Sequence, residues 1–294
     1  MEKKANKSKS FSIFWLVIGT LLAVYAISLF IPMIWGFTSS FKSHLDFQLD
    51  KLSLPEKWLF SNYSTVIDLF YIKVFSGTYR VYIPEMLLNS VLYAVGSAFI
   101  QAFVQFIMAY LSSRFDFKFG KVIYTIVILG MVIPIVGSEP SAIAMADKLN
   151  IRDSIFGLYL MKSYFLGMYF LIFFETLKAF PKDYTEAAEI DGAGNFSIMF
   201  RIMFPLCINT FFTISLLLFI QFWNDYTTPM LFMPNVPTLA YGLYYFIDLN
   251  PIQEINTMPM RLSACIMMLV PTLTIFLIFH NKLLSNVTIG GVKE

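Results

Sequence analysis

The chain has 294 residues, of which 57% are hydrophobic and only 14% are charged. A soluble domain has about one quarter charged residues, so this composition indicates a membrane protein. The net charge of +2 gives no reason to expect a nucleic-acid partner, and two cysteines inside apolar runs with two scattered histidines predict neither a disulfide framework nor a metal site.

Six apolar runs are candidates for membrane spans. A helix needs about twenty apolar residues to cross the bilayer core. The runs cover residues 11–37, 86–110, 122–138, 155–178, 206–232 and 261–285. The first run is far longer than the apolar core of a signal peptide, so we interpret it as an uncleaved span. We therefore expect an all-α membrane protein with about six transmembrane helices, folded as a single domain over residues 1–294.

The charges of the loops predict the orientation of these spans. Lysine and arginine accumulate in short cytoplasmic loops. If the N-terminus is inside, the inner segments hold most of the basic residues of the short loops, whereas residues 233–260 contain none. Both termini are therefore predicted to be cytoplasmic. Residues 42–85 then lie outside, and their content of Phe, Tyr, Leu and Ile predicts a small structured cap.

Polar residues recur along the second span. They are Asn89, Tyr93, Ser97, Gln101 and Gln105, one every four residues, which spreads them over roughly 160° of a helix surface. Such a face is suited to line a pathway and to form hydrogen bonds with a polar solute. Alternatively, the same residues bond neighbouring helices, as Gln and Asn commonly do in membranes. The sequence leaves both interpretations open.

The fifth span carries a second polar group. Gln221, Asn224 and Asp225 are spaced i, i+3 and i+4 and are predicted to share one helix face, as candidates for pathway lining. An acidic residue within a span is a functional candidate by default. Asp225 lies near the outer end of its run, however, and the adjacent Trp223 and Tyr226 are equally typical of an interface belt. A pathway role and an interfacial role both remain open.

The loop at residues 181–205, between the fourth and fifth spans, is predicted to form a short helix at the inner surface. Pro181 suits a first helical turn, and Asp183 with Glu186 has the spacing of a capping box. Gly192 and Gly194 are predicted to end this helix. Its alanines are small enough for another protein to approach closely, which predicts a docking helix. An ordinary helical connection is the alternative.

This loop carries the most specific pattern of the chain. It runs Glu-Ala-Ala, two residues, Asp-Gly-Ala, eight residues, then Ile, two residues and Pro. The positions are Glu186, Ala187, Ala188, Asp191, Gly192, Ala193, Ile202 and Pro205. The pattern resembles the EAA loop of importer permeases of the ATP-binding-cassette (ABC) superfamily, with Phe204 in place of the usual Leu.

The resemblance covers most of the chain, and it points to the carbohydrate-type permeases related to the second membrane subunit of the maltose transporter. The matching motifs are Ser40-Phe41-Lys42, Asn89-Ser90, Ser113-Arg114, Trp223-Asn224-Asp225-Tyr226 and Pro237-Thr238-Leu239. The tail at residues 288–293 is similar to the family's Gly-Ala-Val-Lys ending, with Gly291 in place of Ala.

The resemblance implies a transport subunit of a bacterial cell membrane, without catalytic residues or a cofactor of its own. Its partners are then a second permease, usually a different one, a dimer of cytoplasmic ATPases that grips the EAA loops, and an extracellular solute-binding protein. ATP and Mg bind the ATPases, and the solute is a sugar or oligosaccharide. The sequence agrees in one respect, because it contains no phosphate-binding Gly-x-x-x-x-Gly-Lys-Ser/Thr pattern.

The main alternative is an ion-coupled secondary transporter of small polar solutes. That class needs intramembrane acids or broken helices near the midplane in matched halves. Glu175 and Asp225 lie near opposite ends of their spans, and no inverted pair of segments is visible. A membrane-embedded enzyme is not supported, because the sequence has no histidine cluster, paired carboxylates or nucleophile motif.

Overall fold

The structure is a computed structural model, and it describes residues 13–114, 118–133, 137–249 and 256–287. These residues divide into two compact units, one made of residues 13–69 and 256–269, the other of residues 70–249 and 270–287 with the same gaps. The single-domain organisation stays a prediction. The tail motif at 288–293, the start of the first predicted span and residues 134–136 of the third lie outside the described residues.

The described residues are mostly helical. The elements up to residue 114 are α1 (Ile13–Ser39), α2 (His44–Leu49), α3 (Ser61–Leu69), β1 (Tyr71–Val74), β2 (Tyr79–Tyr82) and α4 (Ile83–Arg114). The later elements are α5 (Lys118–Val132), α6 (Glu139–Lys148), α7 (Ile155–Lys162), α8 (Met168–Ala179), α9 (Asp183–Ile190), α10 (Asn195–Ile198), α11 (Phe204–Leu206), α12 (Ile208–Trp223), α13 (Thr227–Phe232), α14 (Leu239–Tyr244) and α15 (Met258–Val287). Short π-helical stretches cover Met199–Met203 and Tyr245–Leu249.

Two of the described helices are long and apolar enough to cross a membrane. They are Trp15–Ser39 within α1 and Ile83–Arg114, which is α4. A third span results if Asn195–Leu206 and α12, which meet at an angle of 75°, are counted as one broken span. Shorter apolar helices cover Gly120–Val132 and Met258–Thr274. The count of six spans and the cytoplasmic position of both termini therefore stay predictions.

The run predicted as a span at residues 155–178 is not one continuous helix, and its crossing of the membrane stays a prediction. Helix α7 ends at Lys162, and α8 begins only at Met168. Between them, Gly167 has a φ of +141°, a conformation that residues with a side chain rarely adopt. Lys162 and Ser163 stand at the break, but the run around them is apolar enough that its mean hydropathy did not predict the interruption.

The predicted span at residues 206–232 is also interrupted. Helix α12 starts after a break at Cys207 and ends at Trp223, and α13 follows as a separate helix. The carboxylate of Asp225 accepts a hydrogen bond from the Thr228 N–H at 3.0 Å. That bond begins a new helical turn instead of continuing α12.

The all-α prediction is wrong for a short antiparallel hairpin within the predicted cap. Strand β1 pairs with β2 so that Tyr71 lies opposite Tyr82. Ile72, Val74 and Val81 are buried, which follows the alternation of period two that strands require. Residues 42–69 of the predicted cap belong to one compact unit and residues 70–85 to the other.

In the unit formed by residues 13–69 and 256–269, side chains bond the backbone just after α1. Asn62 Nδ2 donates to the carbonyls of Ser40 and Lys42 at 2.7 and 3.0 Å. Ser263 Oγ donates to the same Ser40 carbonyl at 3.0 Å. These bonds satisfy carbonyls that have no helical partner once α1 ends.

In the unit formed by residues 70–249 and 270–287, α4 packs against α7, α8 and α12. The buried ring of Phe106 on α4 meets that of Phe173 on α8 edge to face, with centroids 5.8 Å apart. A Cβ at Gly96 of α4 would lie 2.2 Å from the ring of Tyr159, so this glycine allows α7 to approach α4 closely. The polar residues of α4 are positioned by this packing.

Candidate functional site

The helix of the candidate coupling loop, α9, begins one residue earlier than the sequence pattern predicts. Lys182 already has helical backbone angles, and its carbonyl accepts the N–H of Glu186 at 3.0 Å. Asp183 therefore lies inside the first turn, and its side chain makes no capping hydrogen bond. The predicted capping box is wrong, but Asp183 and Glu186 still place negative charge where the helix dipole favours it.

Helix α9 ends at Gly192 in a Schellman motif. The Gly192 N–H donates to the Glu189 carbonyl at 3.0 Å, and the Ala193 N–H donates to the Ala188 carbonyl at 2.9 Å. Gly192 has a φ of +82°, in the left-handed region that favours glycine. A Cβ at this position would have nothing within 4 Å. The predicted end of the helix at Gly192 is confirmed, and the space around the turn is open.

An open cleft with a volume of about 440 Å³ lies beside α9. Its lining residues are Pro181, Asp183, Tyr184, Ala187, Ala188, Asp191 and Ile202. Four of them, Ala187, Ala188, Asp191 and Ile202, are among the predicted coupling residues. Glu186 and Pro205 are exposed but lie outside the lining, and Gly192 with Ala193 forms the turn.

Tyr184 is a residue of this cleft that the sequence pattern did not predict. Its side chain is 50% exposed. It lies three and four residues before Ala187 and Ala188, which places all three on one helix face. Helical periodicity was therefore a sufficient signal for including Tyr184 among the predicted residues of this loop.

Arg114, the last residue of α4, fixes the entrance to this loop. Its Nη2 donates to the carbonyls of Leu177 and Phe180 at 2.7 and 3.0 Å. These carbonyls lie at the C-terminal end of α8, where the helix has no further donors of its own. The guanidinium charge also suits the negative end of the helix dipole. The ends of α4 and α8 are thereby joined directly before α9.

The polar residues predicted on α4 lie inside the chain. Tyr93, Ser97, Gln101 and Gln105 are each no more than 3% exposed. Asn89 donates through Nδ2 to the carbonyl of Pro237 at 3.0 Å, and Ser90 Oγ accepts the Leu239 N–H at 2.7 Å. Two motifs of the family pattern are thus in contact. The other four residues are buried within this chain, but Ser97 Oγ, Gln101 Oε1 and both polar atoms of the Gln105 amide have no hydrogen-bond partner among the described residues, so the choice between the two interpretations stays a prediction.

A partly buried ion pair connects α7 with the end of α12. Lys162 Nζ lies 3.6 Å from Asp225 Oδ2, and each side chain is only 17% exposed. The same oxygen accepts a hydrogen bond from the Tyr93 hydroxyl at 2.8 Å. Lys162 also donates to Thr228 Oγ1 at 3.2 Å and lies 5.1 Å from the ring centroid of Phe222. The charge of Asp225 is therefore compensated within the chain, by a lysine that the sequence pattern did not predict.

The prediction that Gln221, Asn224 and Asp225 share one helix face is wrong. Helix α12 ends at Trp223, so Asp225 turns towards its ion pair, whereas Gln221 and Asn224 are exposed. Asn224 Nδ2 donates to the carbonyl of Ile220 at 2.8 Å. Of the predicted pathway residues, Gln221 and Asn224 are the two whose side chains are open to a solute.

These features define a helical protein with helices long and apolar enough to cross a membrane and with the short exposed helix α9 between two apolar segments. The family described as binding-protein-dependent transport system inner membrane component matches residues 104–287, which is more than half of the chain. The chain belongs to this family. It is the permease subunit of an ABC importer, as the resemblance of the EAA loop predicted.

Similar proteins are permeases of sugar transport systems. The diacetylchitobiose uptake system permease protein NgcG of Streptomyces coelicolor is 25% identical over 278 residues, or 93% of this chain and 87% of that protein. The melibiose/raffinose/stachyose import permease protein MelC of Bacillus subtilis is 24% identical over 294 residues, or 99% of each. The arabinooligosaccharides transport system permease protein AraQ of the same species is 27% identical over 208 residues, or 70% of this chain and 72% of that protein.

The fold is similar to a chain in the crystal structure of a bacterial ABC transporter involved in the import of the acidic polysaccharide alginate. The TM-score is 0.73 at 24% sequence identity, and the match covers 93% of this chain and 98% of that chain. This likeness confirms the importer-type permease fold that the sequence predicted.

Proposed function

We propose that this chain forms half of the translocation pathway for a sugar or oligosaccharide, and that it crosses the bacterial cell membrane six times with both termini in the cytoplasm. A second, different permease completes the pathway, and an extracellular solute-binding protein delivers the solute. The names of the relatives support the solute class, since they refer to diacetylchitobiose, melibiose, raffinose, stachyose and arabinooligosaccharides. ATP and Mg bind a separate dimer of cytoplasmic ATPases.

The coupling to that ATPase dimer occurs through α9. The observation that carries this proposal is the exposed helix beside its open cleft, with the helix ended by the glycine turn at Gly192. Ala187 and Ala188 let a partner approach the cleft closely, and Tyr184 offers an apolar ring with a polar tip. Glu186, exposed beside the lining, offers a charge to a basic group of the ATPase.

The pathway contacts of this chain are assigned to Gln221 and Asn224. Both side chains are exposed and carry amides, which can donate to and accept from sugar hydroxyls. The buried residues of α4, Ser97, Gln101 and Gln105, are assigned to contacts between helices. Asp225 forms the ion pair with Lys162, and the Tyr93 hydroxyl donates a hydrogen bond to the Asp225 carboxylate. Both residues act on the pathway only through the position of α13.

The purified single chain is expected to hydrolyse no ATP and to mediate no solute uptake in liposomes, whatever ion gradient is applied. The reason is that it has no phosphate-binding loop, and the energy source lies on the partner ATPase. Addition of the second permease, the ATPases and the binding protein should restore ATP-dependent uptake. Gradient-driven uptake by the single chain would support a secondary transporter instead.

Cysteine labelling in intact cells is expected to reveal opposite sides for Asp68 and Lys182. Both residues are exposed, so Asp68→Cys and Lys182→Cys should not disturb the fold. An impermeant maleimide added outside should label Asp68→Cys only, and permeabilised cells should label both. The control is a background in which Cys207 and Cys265 are replaced by Ala. Labelling of Lys182→Cys alone in intact cells would invert the proposed topology.

The solute class is tested with the cognate binding protein. Calorimetric titration with mono- and oligosaccharides should yield saturable binding for at least one of them, and the same sugar should stimulate ATP hydrolysis by the reconstituted complex. Binding of peptides with no response to any sugar would contradict the carbohydrate assignment and leave the importer assignment intact.

A further inference from the structure

A short segment with exposed leucines follows α1 directly. Helix α2 begins at His44, shortly after α1 ends at Ser39. Leu45 and Leu49 are four residues apart on one face of α2 and are 70% and 85% exposed. The chain then continues with two further exposed leucines, Leu52 at 84% and Leu54 at 68%. Single apolar residues are common on protein surfaces, but four in one short segment indicate contact with an apolar partner. These four leucines are called the leucine patch below.

The opposite side of this segment faces the protein. Phe47 is buried, and its ring centroid lies 6.2 Å from that of Trp35 on α1. Asp46 Oδ2 accepts the Glu56 N–H at 3.2 Å. Helix α2 thus turns Phe47 towards the protein and leaves Asp46 half-buried, whereas Leu45 and Leu49 lie on the exposed side, where a helix on a water-facing surface usually carries polar residues.

The contacts with α1 fix the depth of the segment. Trp35 Nε1 donates to the carbonyl of Lys51 at 2.7 Å. Trp35 lies four residues before Ser39, or about 6 Å along the helix axis from its end. The fully buried Lys42 donates through Nζ to the Asp50 carbonyl at 2.6 Å. The backbone near residue 51 is therefore level with the last turn of a helix that is long and apolar enough to cross the membrane.

The leucine patch is also continuous with the exposed surface of α1. Ile31 and Ile34, in the last third of that helix, are each 61% exposed. The leucines thus extend the exposed apolar surface of α1, and the polar side chains of His44, Gln48 and Asp50 are exposed among them, a mixture that an interfacial position accommodates. Lys51 and Lys57 are exposed beside the leucines, and long basic side chains reach the headgroup layer from such positions.

We propose that residues 44–54 form an interfacial anchor, whose leucines Leu45, Leu49, Leu52 and Leu54 insert into the boundary between headgroups and acyl chains. The partner is the lipid bilayer itself. The anchor fixes the angle at which α1 leaves the membrane, and it does so whichever leaflet this end of α1 occupies.

Site-directed spin labelling tests this proposal on the full chain, purified with its partner subunits in lipid nanodiscs. Leu49→Cys and Leu52→Cys, in a background with Cys207→Ala and Cys265→Ala, carry the label. Controls are Ile31→Cys, which is exposed on the apolar helix α1, and Asp68→Cys, which is exposed on α3. Power saturation compares collisions with oxygen, which concentrates in lipid, and with a water-soluble nickel chelate.

The ratio of oxygen to nickel accessibility is expected to be several-fold higher at Leu49 and Leu52 than at Asp68, and to approach the value at Ile31. All four labels replace exposed side chains, so the fold should be retained, which ATPase activity of the complex checks. Equal ratios at Leu49, Leu52 and Asp68 would show that the leucines face water. Exclusion of both reagents would show that a protein subunit covers them. Either result overturns the proposal.

Discussion

Replacing Gly192 with Glu is expected to abolish solute uptake and to release the ATPases from the permease, while the chain still inserts into the membrane. The φ of +82° disfavours any residue with a side chain, by about 1–2 kcal/mol. Within the chain the new side chain has room, since nothing lies within 4 Å of its Cβ. It therefore projects from the turn into the space that we propose for ATPase docking. The measurements are ATPase co-purification and uptake in the same cells.

Two matched variants separate the strain of the turn from the obstruction of docking. In Gly192→Asn, the asparagine tolerates a positive φ better than other residues with a side chain, and it adds no charge. This variant should therefore retain the turn and lose ATPase docking only in part. Gly194→Glu adds the same charge two residues later, at an exposed glycine with an ordinary φ of −76° and open space. It should keep most of the uptake. Wild-type uptake and ATPase retention in Gly192→Glu would show that the loop is only a connection.

The coupling loop was the part of this protein that the sequence predicted best, because its structure is set by local contacts. The end of α9 at Gly192 depends on bonds within six residues, from Ala188 to Ala193. Such a turn follows from the residue types alone. The start of α9 was misplaced by one residue, since Lys182 and Asp183 are both acceptable at the boundary.

The breaks in the apolar runs could not be predicted from hydropathy, because they depend on particular contacts. The gap between α7 and α8 requires an unusual φ at Gly167, and the end of α12 requires Asp225 to bond Thr228. Neither feature changes the mean hydropathy of its run. The predicted pathway face on α12 failed for the same reason, since the pattern i, i+3, i+4 presupposes an unbroken helix.

The burial of the α4 polar residues is likewise a tertiary property. A spacing of four residues places Ser97, Gln101 and Gln105 on a broad face, but it does not say whether that face meets lipid, a pathway or another helix. The packing of α7, α8 and α12 around α4 determines that these side chains are buried. Lys162 was missed because its relation to Asp225 exists only after α7 has packed beside the end of α12.

Loss of either partner of the Lys162–Asp225 ion pair is expected to lower the free energy of unfolding of this chain by about 3 kcal/mol. Removing one partner of a buried pair costs about 3–5 kcal/mol, and the 17% exposure of each side chain favours the lower end. In Lys162→Met the carboxylate keeps its hydrogen bonds from Tyr93 and Thr228. In Asp225→Asn the ammonium keeps only the Thr228 hydroxyl and the Phe222 ring, so the loss should be larger.

The chain contains a matched control for this measurement. Arg152 and Asp147 form an ion pair at 3.3 Å whose side chains are 37% and 51% exposed. Exposed pairs contribute less than about 1 kcal/mol, so Asp147→Asn should leave the unfolding transition in detergent nearly unchanged. A loss in Lys162→Met no larger than that in Asp147→Asn would contradict the stabilising role of the Lys162–Asp225 pair.

The double variant Lys162→Met/Asp225→Asn distinguishes a structural role from a role in transport. The two changes together remove both charges, so their combined loss should be clearly smaller than the sum of the single losses. Because Asp225 is enclosed by Tyr93, Lys162 and Thr228, uptake should recover in parallel with stability in the double variant. A double variant that unfolds like the wild type yet transports nothing would show that the ion pair acts on the solute or on pathway opening. Asn224→Ala, which removes an exposed amide outside the ion pair, should reduce uptake with little change in the unfolding transition.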